Sequence, residues 1–427
     1  MALCSVLNWH YAAEVPPPGA YVGRLLDRPL IAAFKELPAL MIVGPRAAGK
    51  TTTAGHLVPN IVRLNRPAEA AAFRADPDAA LAAQEEPVVL DEWQEVPEVL
   101  GAVRRAVEQD KRAGRFILTG SVRNDLVGRV WPGTGRITRV SLYGLTMREL
   151  EGRLDDTPFI DRLARADLSL FRVPSPTPDV TGYIEIAMRS TFPDVLLGAL
   201  SEPARRLWLD SYVDQMLTHD VPGTIRAPAR LRRYFEALAI NSAGLPKEES
   251  VYTAAGIDHR TAKSYQDLLS AVYVLDVIPS FESKRLERMV KMPKRYIVDP
   301  AFMGVALGID SRAITRDGDL VGRVLDTFVM AQLRPEVQVS TLRPRLHHLR
   351  EVHGRREIDI LGDLATGVVG IEVKASAAPS RDDAAHLIHL RDRFKTNFLA
   401  GAVLHTGPRP FQISDRIFAL PISTLWA

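Results

Sequence analysis

A glycine-rich segment carries the clearest chemical signature in the chain. It follows the apolar run 39–43 and consists of Gly44, Pro45, Arg46, Ala47, Ala48, Gly49, Lys50, Thr51 and Thr52. This spacing of glycines before a lysine and a threonine, between a strand and a helix, is typical of a loop whose backbone N–H groups bind phosphates. Lys50 would reach the β- and γ-phosphates, and the Thr51 hydroxyl would ligate Mg²⁺. The segment predicts binding of ATP with Mg²⁺, and an ordinary glycine-rich turn is the alternative.

Two acids end a second apolar run, Val88-Val89-Leu90. A parallel strand that is buried on both faces has this composition, and ligands of such sheets bind at the carboxyl ends of the strands. There Asp91 would hold Mg²⁺ through water, and Glu92 would polarise the water that attacks the γ-phosphate. Because acids also favour the first turn of a helix, simple capping of the next helix is the alternative.

A third strand candidate, 115–118, ends in Thr119-Gly120-Ser121. Hydroxyl groups at the end of a buried strand suit a residue that senses the γ-phosphate, so we include Ser121 among the nucleotide-binding candidates. A helix cap would need the same residue types.

In this order the three segments resemble the AAA+ branch of P-loop ATPases. The closer resemblance is to a prokaryotic family that joins such an ATPase to a C-terminal region of unknown function. Further matches are Gly135-Arg136 with 142–150, Pro193-Asp194, and Lys294-Arg295-Tyr296 with Asp299. The resemblance implies an arginine near the nucleotide, as γ-phosphate sensor or trans-acting finger. Arg136 is our candidate, with Arg123 and Arg129 as competitors. AAA+ relatives often form rings, so an oligomer is one expectation.

Composition sets limits on the class of protein. The chain has 427 residues, 46% of them hydrophobic, which is enough for two to three domains with separate cores. Its 54 basic and 51 acidic residues nearly balance, so bulk charge does not indicate a nucleic-acid binder. The single cysteine, Cys4, fits a reducing compartment. Since no apolar run approaches the roughly 18 residues of a membrane span and no secretion signal is evident, we expect a cytoplasmic protein without a membrane partner.

The predicted fold class is α/β. An AAA+ type P-loop core is followed by a helical, winged-helix-like region and an α/β nuclease-like domain. The predicted divisions are a leader over 1–23, the ATPase domain over 24–150, a helical lid or linker over 151–230, the winged-helix-like region over 231–310 and the nuclease-like domain over 311–427. In the linker, Trp208, Tyr212 and Met216 recur at helical spacing and are interpreted as a packing stripe.

The segment 251–279 resembles a winged helix, with two helices followed by a strand. Arg260, Lys263 and Gln266 would lie on the face that enters the major groove in DNA binders. The adjoining stretch 284–295 has six basic residues and one acid, which could neutralise phosphates of double-stranded DNA. A protein-contact module with a solvated basic loop is the alternative.

Carboxylates recur near the C-terminus on two candidate strands. Asp359 lies on the first, and Glu372 and Lys374 share one face of the second while Val373 points to the core. Asp359 and Glu372 would be oxygen ligands for Mg²⁺, and Lys374 would activate a water for attack on a phosphodiester. The set resembles the PD-(D/E)XK nuclease fold, whose helical acid is matched by Asp326 where the related family commonly has Glu.

Three interpretations of this C-terminal set stay open: an active nuclease, a degenerate nuclease-like fold and an unrelated fold with a surface salt bridge. His347, His348 and His353 precede the strands without metal-ligand spacing and are interpreted as polar loop residues. We hypothesise a Mg²⁺-dependent ATPase that couples nucleotide state to DNA contact or to the nuclease-like domain. The competing hypothesis is an ATP-gated switch for a protein partner with an inert C-terminal domain, in a toxin–antitoxin or defence system.

Overall fold

The structure, a computed structural model, describes residues 21–121, 134–198, 200–218, 228–281, 292–350 and 356–427. Several predicted features lie outside these ranges: nearly all of the leader, Arg123, Arg129, His353 and most of the basic stretch after 284. Within the described ranges, no helix is both long and apolar enough to cross a membrane.

The N-terminal part alternates strands and helices, as the sequence predicts. Its elements are α1 (Asp27–Phe34), β1 (Ala39–Val43), α2 (Lys50–Leu57), β2 (Ile61–Arg63), α3 (Pro67–Ala75), α4 (Pro77–Ala82), β3 (Val88–Asp91), α5 (Val99–Gln109), β4 (Phe116–Gly120) and β5 (Thr138–Ser141). The strands form one parallel sheet in the order β2-β3-β4-β1-β5. Strands β1, β3 and β4 are buried throughout because apolar clusters cover both faces of the sheet. Their carboxyl ends therefore meet at one edge.

The middle of the chain is largely helical. Its elements are α6 (Met147–Leu150), α7 (Phe159–Leu163), α8 (Val180–Met188), α9 (Pro193–Leu196), α10 (Glu202–Thr218), α11 (Pro228–Ile240), α12 (Glu248–Ala254), α13 (His259–Ala271), β6 (Leu275–Ile278), β7 (Lys294–Ile297) and α14 (Ala301–Leu307). Helices α12 and α13 precede β6 in the order predicted for the winged-helix-like region, and β6 pairs antiparallel with β7.

The predicted aromatic stripe on α10 packs as expected. Met216 is buried, while Trp208 and Tyr212 lie partly buried against the same apolar cluster. The Tyr212 ring stacks on Phe302 of α14 at a centroid distance of 5.3 Å. This stripe therefore holds α10 to the rest of the middle region.

The C-terminal part is a mixed sheet between two helical layers. Its elements are α15 (Ser311–Thr315), α16 (Gly318–Val339), β8 (Arg345–Arg350), β9 (Glu357–Leu364), β10 (Gly367–Val373), α17 (Ala385–Phe394), β11 (Phe398–His405), β12 (Phe411–Ser414) and β13 (Ile417–Pro421). The strand order is β12-β13-β11-β10-β9-β8, with β9 antiparallel to β10 and β10 parallel to β11. One face packs on α16 and the other on α17.

The segment predicted as a lid or linker divides between two cores. Helices α7 and α8 share one apolar cluster with α16 and the C-terminal sheet, through residues such as Tyr183, Phe328 and Trp426. Helices α9 and α10 belong to the cluster of the middle region. The first half of the predicted linker thus packs with the C-terminal sheet, and the second half packs with the middle region.

Candidate functional site

The phosphate loop joins β1 to α2 in a conformation that needs its glycines. Gly44 has φ +155°, and a Cβ there would lie 1.9 Å from the backbone oxygen of Leu142, so only glycine fits this approach. Gly49 is left-handed at φ +89° and caps the N-terminus of α2. The Lys50 side chain is buried, and its Nζ donates to the Pro45 carbonyl at 2.8 Å. The loop therefore curls over the lysine, beside the N-terminal N–H groups of α2.

Three polar groups, from the ends of β3 and β4 and from the first turn of α2, meet beside this loop. Asp91 is 4% exposed, and its Oδ1 accepts hydrogen bonds from the hydroxyls of Thr51 at 2.7 Å and Thr119 at 2.5 Å. A buried carboxylate next to a threonine hydroxyl is a donor set that suits Mg²⁺ with several waters and phosphate oxygens. The site thus brings together the two residues predicted to hold the metal ion.

Glu92 is held in an unusual backbone conformation. Its φ is +58°, its N–H donates to Thr119 Oγ1 at 3.2 Å, and its carboxylate accepts from the Gln94 amide. Left-handed backbone at a non-glycine residue is uncommon and clusters at functional sites. Burial raises the pKa of Glu92, and the nearby Lys50 ammonium opposes that rise. These features suit a carboxylate that accepts a proton from water.

Ser121, predicted from its place after β4, has a buried hydroxyl with no hydrogen-bond partner among the described residues. The neighbouring Trp93 Nε1 and Gln94 Oε1 are likewise buried without a hydrogen-bond partner among the described residues. Buried polar atoms in native proteins nearly always have partners. These unpaired polar atoms at the strand ends, together with the glycine-rich loop, fit a site that binds a polar ligand such as a nucleotide.

Arg136 does not reach this site within one chain. It precedes β5, at the amino end of the sheet, and its Nε pairs with Glu108 at the end of α5 at 3.7 Å. The phosphate loop lies at the opposite, carboxyl edge of β1. The prediction of Arg136 as a sensor acting within its own chain is therefore corrected, because β5 runs parallel to β1. A role as a finger toward a neighbouring copy stays a prediction.

Arg24 is a residue of the site that the sequence did not single out. It is 3% exposed, and its guanidinium donates to the carbonyls of Ala48 at 2.9 Å and Tyr143 at 2.6 Å while pairing with Glu149 at 3.0 Å. It therefore fixes the phosphate loop to the segment after β5. No local pattern marks it, since its partners lie up to 125 residues away.

The C-terminal carboxylates also come together, but around a lysine. Lys294 Nζ on β7 lies 2.7 Å from Asp326 Oδ2 on α16 and 2.9 Å from Asp359 Oδ1 on β9. Burial raises the pKa of Asp326 to about 7, with the Lys294 charge opposing that rise. Burial also favours a higher pKa for Asp359. The Lys294 charge and the hydrogen bond from the Val373 N–H outweigh burial and hold the pKa of Asp359 below its usual range. Burial disfavours the Lys294 charge, yet the two carboxylates raise its pKa well above the ordinary value.

Glu372 and Lys374 share a strand face, as predicted, and pair at 3.1 Å. Glu372 is only 2% exposed, because α17 covers this face and places His386 at 3.5 Å. The alternative of a pair on an exposed surface is therefore wrong. Burial raises the pKa of Glu372. Among the described residues, no group of three or more His, Cys, Asp or Glu side chains has a metal-binding arrangement.

Two histidines differ from their predicted place. His347 and His348 lie in strand β8 rather than in a loop, because their backbones pair with β9 or with the segment after β6. His348 donates from Nε2 to the Met292 carbonyl at 2.8 Å and serves packing.

On α13, Arg260 and Lys263 are exposed, whereas Gln266 accepts a hydrogen bond from Arg295.

Known protein families match the chain in three consecutive parts. Residues 36–151 match an AAA domain, 180–313 a domain of unknown function (DUF8612) and 321–425 another domain of unknown function (DUF4143). Together with the geometry above, the first match assigns the N-terminal part as an AAA-type P-loop domain, the kind of domain that binds ATP.

Two uncharacterized mycobacterial proteins, from Mycobacterium bovis and Mycobacterium tuberculosis, are similar over most of the chain. Each is 25% identical over 398 residues, which is 91% of this chain and 81% of the relative.

Two solved structures align more loosely. A signal transduction ATPase with numerous domains and a tetratricopeptide repeat sensor, from Pyrococcus horikoshii, is 15% identical with a TM-score of 0.24; the match covers 77% of this chain and 48% of that one. The chain thus spans about half the length of that protein. A protein of Vibrio cholerae is 11% identical with a TM-score of 0.21, covering 91% and 95%. The assignment of residues 36–151 rests on the AAA match and the site geometry.

Proposed function

We propose that the chain is a Mg²⁺-dependent ATPase whose nucleotide state is transmitted to its C-terminal half. The observation that carries the ATPase proposal is the meeting of Thr51, Asp91 and Thr119 at the mouth of the phosphate loop. A loop that only held a phosphate would need no buried carboxylate against its threonine. Glu92 next to this group supplies the base that hydrolysis requires.

Each residue has a distinct role in the proposed reaction. Backbone N–H groups of 44–51 and the Lys50 ammonium would bind the β- and γ-phosphates. Thr51 and Asp91 would hold Mg²⁺, which when bound offsets the negative charge of the phosphates. Glu92, oriented by Gln94 and Thr119, would accept a proton from the attacking water. Its pKa, raised by burial, is closer to neutrality than that of an exposed glutamate, which favours general-base action near pH 7.

Buried hydrogen bonds support the transmission from the phosphate loop to β7. Arg24 binds both Ala48 of the loop and the carbonyl of Gly144. The next residue, Leu145, donates its N–H to the Thr191 carbonyl at 2.6 Å. The Thr191 hydroxyl in turn donates to Asp299 at 2.8 Å, directly after β7. Since these contacts are buried, a shift of the loop on ATP binding would displace β7.

Strand β7 then ends the path at the C-terminal carboxylates, where Lys294 binds Asp326 and Asp359. Because Lys294 lies between the two aspartates, a second candidate is favoured: an ATP-gated switch whose C-terminal domain does not cleave nucleic acid. The exposed Arg260 and Lys263 on α13 leave a DNA-contacting face available, so the partner of the switch can be DNA or protein. The two candidates share the ATP site; in the first the C-terminal domain also cleaves DNA, and in the second it does not.

ATP turnover by the full chain with Mg²⁺, with and without double-stranded DNA, tests the proposal. Lys50→Ala is expected to abolish ATP binding or turnover, whereas Lys111→Ala, at an exposed lysine of the same domain, is the matched control and is expected to leave both unchanged. An ATPase rate that no DNA alters would argue against coupling to DNA.

Nuclease assays separate the two candidates. Cleavage of DNA that Asp359→Ala and Lys374→Ala both remove would establish the nuclease, since that mechanism needs both side chains. No cleavage in any nucleotide state, with ATP turnover intact, would exclude the nuclease and favour the switch.

A further inference from the structure

We propose that the Lys294 ammonium is the resident cation of the Asp326–Asp359 pair, and that it excludes a divalent metal ion from the C-terminal domain. The lysine comes from β7, outside the C-terminal sheet, and is completely buried between the two carboxylates. This inference concerns the C-terminal site and does not depend on ATP turnover.

All four carboxylate oxygens of the two aspartates already accept a hydrogen bond. On Asp326, Oδ2 binds Lys294 and Oδ1 accepts from the Tyr296 hydroxyl at 3.3 Å. On Asp359, Oδ1 binds Lys294 and Oδ2 accepts from the Val373 N–H at 3.0 Å. Mg²⁺ demands octahedral oxygen ligands at about 2.0–2.1 Å. Each oxygen thus already accepts one hydrogen bond, and an ion that used the remaining lone pair of Asp326 Oδ2 or Asp359 Oδ1 would lie beside the Lys294 ammonium.

The charges of the surrounding side chains also disfavour a divalent ion. Among the described residues, the carboxylates of Asp326, Asp359 and Glu372 face the ammonium groups of Lys294 and Lys374, which leaves one net negative charge when these are ionised and the neighbouring His386 is neutral. A divalent ion added to this cluster would overcompensate it and would lie against an ammonium group. Without Lys294 the cluster would carry two negative charges, which one divalent ion balances.

Ion pairs and the neighbouring Tyr296 hold Lys294 between the two aspartates. Lys294 and Tyr296 lie two residues apart on β7, so both side chains point to the same face. The Tyr296 ring lies 5.4 Å from Lys294 Nζ, and its hydroxyl binds Asp326. A buried ammonium is costly unless it is paired and hydrogen-bonded, and here both conditions are met. Lys294 and Tyr296 therefore also join the middle region to the C-terminal sheet.

Titration of the nucleotide-free full chain with Mn²⁺, followed by electron paramagnetic resonance, tests the exclusion. The wild type is expected to show no Mn²⁺ binding that depends on Asp359. Lys294→Met keeps the length of the side chain and removes its charge. This variant is expected to gain one Mn²⁺ site, with an affinity at least tenfold higher than that of any Asp359-dependent binding by the wild type. Asp359→Asn in the same chain is expected to remove that site. Lys374→Met is the matched control, because it changes the net charge of the cluster by the same amount but leaves Lys294 between the two aspartates, and it is expected to gain no comparable site.

Mn²⁺ binding by the wild type that Asp359→Asn abolishes would overturn the proposal. A folded Lys294→Met chain that gains no site would overturn it as well.

Thermal unfolding keeps the proposal testable if Lys294→Met folds poorly. Leaving two carboxylates buried without their cation is expected to lower Tm by roughly 10 °C. Asp326→Asn added to the Lys294→Met chain removes one of those charges and is expected to recover about half of the loss. A double variant no more stable than the single one would show that Lys294 is not the counter-charge of this pair, and would overturn the proposal.

Discussion

Replacing Asp299 tests the hydrogen-bonded link between the phosphate loop and β7. Its carboxylate is fully buried. Oδ2 accepts from Ser190 Oγ at 2.7 Å and from the N–H and hydroxyl of Thr191 at 2.7 and 2.8 Å, while Oδ1 accepts from the Ala301 N–H at 2.9 Å. Burial raises the pKa of Asp299, and these four donors oppose the rise. The residue thus gathers two chain segments that are distant in sequence.

The cost of each substitution can be estimated from this geometry. In Asp299→Asn, a side-chain amide with its oxygen at the Oδ2 position keeps three bonds and leaves only the Ala301 N–H without an acceptor, which costs about 1–3 kcal/mol. Asp299→Ala leaves all four donors buried without a partner, so a loss of about 4–5 kcal/mol is expected. At roughly 2–4 °C per kcal/mol, these losses lower Tm by about 5 °C and about 15 °C.

Differential scanning calorimetry and ATP titration measure both effects. Asp310→Asn is the matched control: this exposed aspartate accepts one hydrogen bond, from Ala313 N–H at the start of α15, and Asn is an equally good cap. We expect it to change Tm by less than about 1 °C. Asp299→Ala is also expected to weaken ATP binding, because Thr191 contacts the segment that Arg24 fixes to the loop. An alanine variant no less stable than the asparagine variant would refute the hydrogen-bond argument. Unchanged ATP affinity in a destabilised alanine variant would refute the link to the loop.

Two further predictions follow from single sites. Gly44→Ala places a Cβ 1.9 Å from the backbone oxygen of Leu142 and is expected to abolish ATP binding in isothermal titration, whereas Gly322→Ala, on a helix with no atom within 4 Å, should leave it intact. Burial lowers the pKa of His348 to about 4, below the value of about 6.5 in the unfolded chain. Above pH 6.5 both states are neutral; below it the unfolded state binds the proton first, so this residue costs about 2 kcal/mol of stability by pH 5. His348→Gln should therefore flatten urea-unfolding stability between pH 7 and 5, and an unchanged slope would contradict this.

The nucleotide site could be predicted from the sequence because its signals are local. The glycine spacing, the apolar strand before it and the acids after β3 lie within short segments, and parallel strands bring their ends to one edge. Asp91 and Thr51 accordingly meet. The position of Arg136 could not be obtained in this way, because it depends on which edge of the sheet the residue before β5 occupies.

The C-terminal site shows the limit more sharply. The helix and paired strands that hold Asp326, Asp359 and Glu372 follow from helical and alternating patterns. The lysine between the two aspartates comes from another part of the chain, 32 and 65 residues away from them. Lys294 and Tyr296 alternate on β7 and so share a strand face, but only tertiary packing shows which surface that face meets.

Steady-state ATP hydrolysis by the wild type and by Glu92→Gln in Mg²⁺ tests the central claim most directly. Glutamine keeps the size of the side chain and removes the proton acceptor. We expect measurable turnover by the wild type and a loss of at least about 100-fold in the variant, the range of a general base, with ATP binding retained. Equal turnover by both chains would contradict the assignment of Glu92. Tight ATP binding without turnover in the wild type would contradict the ATPase proposal itself.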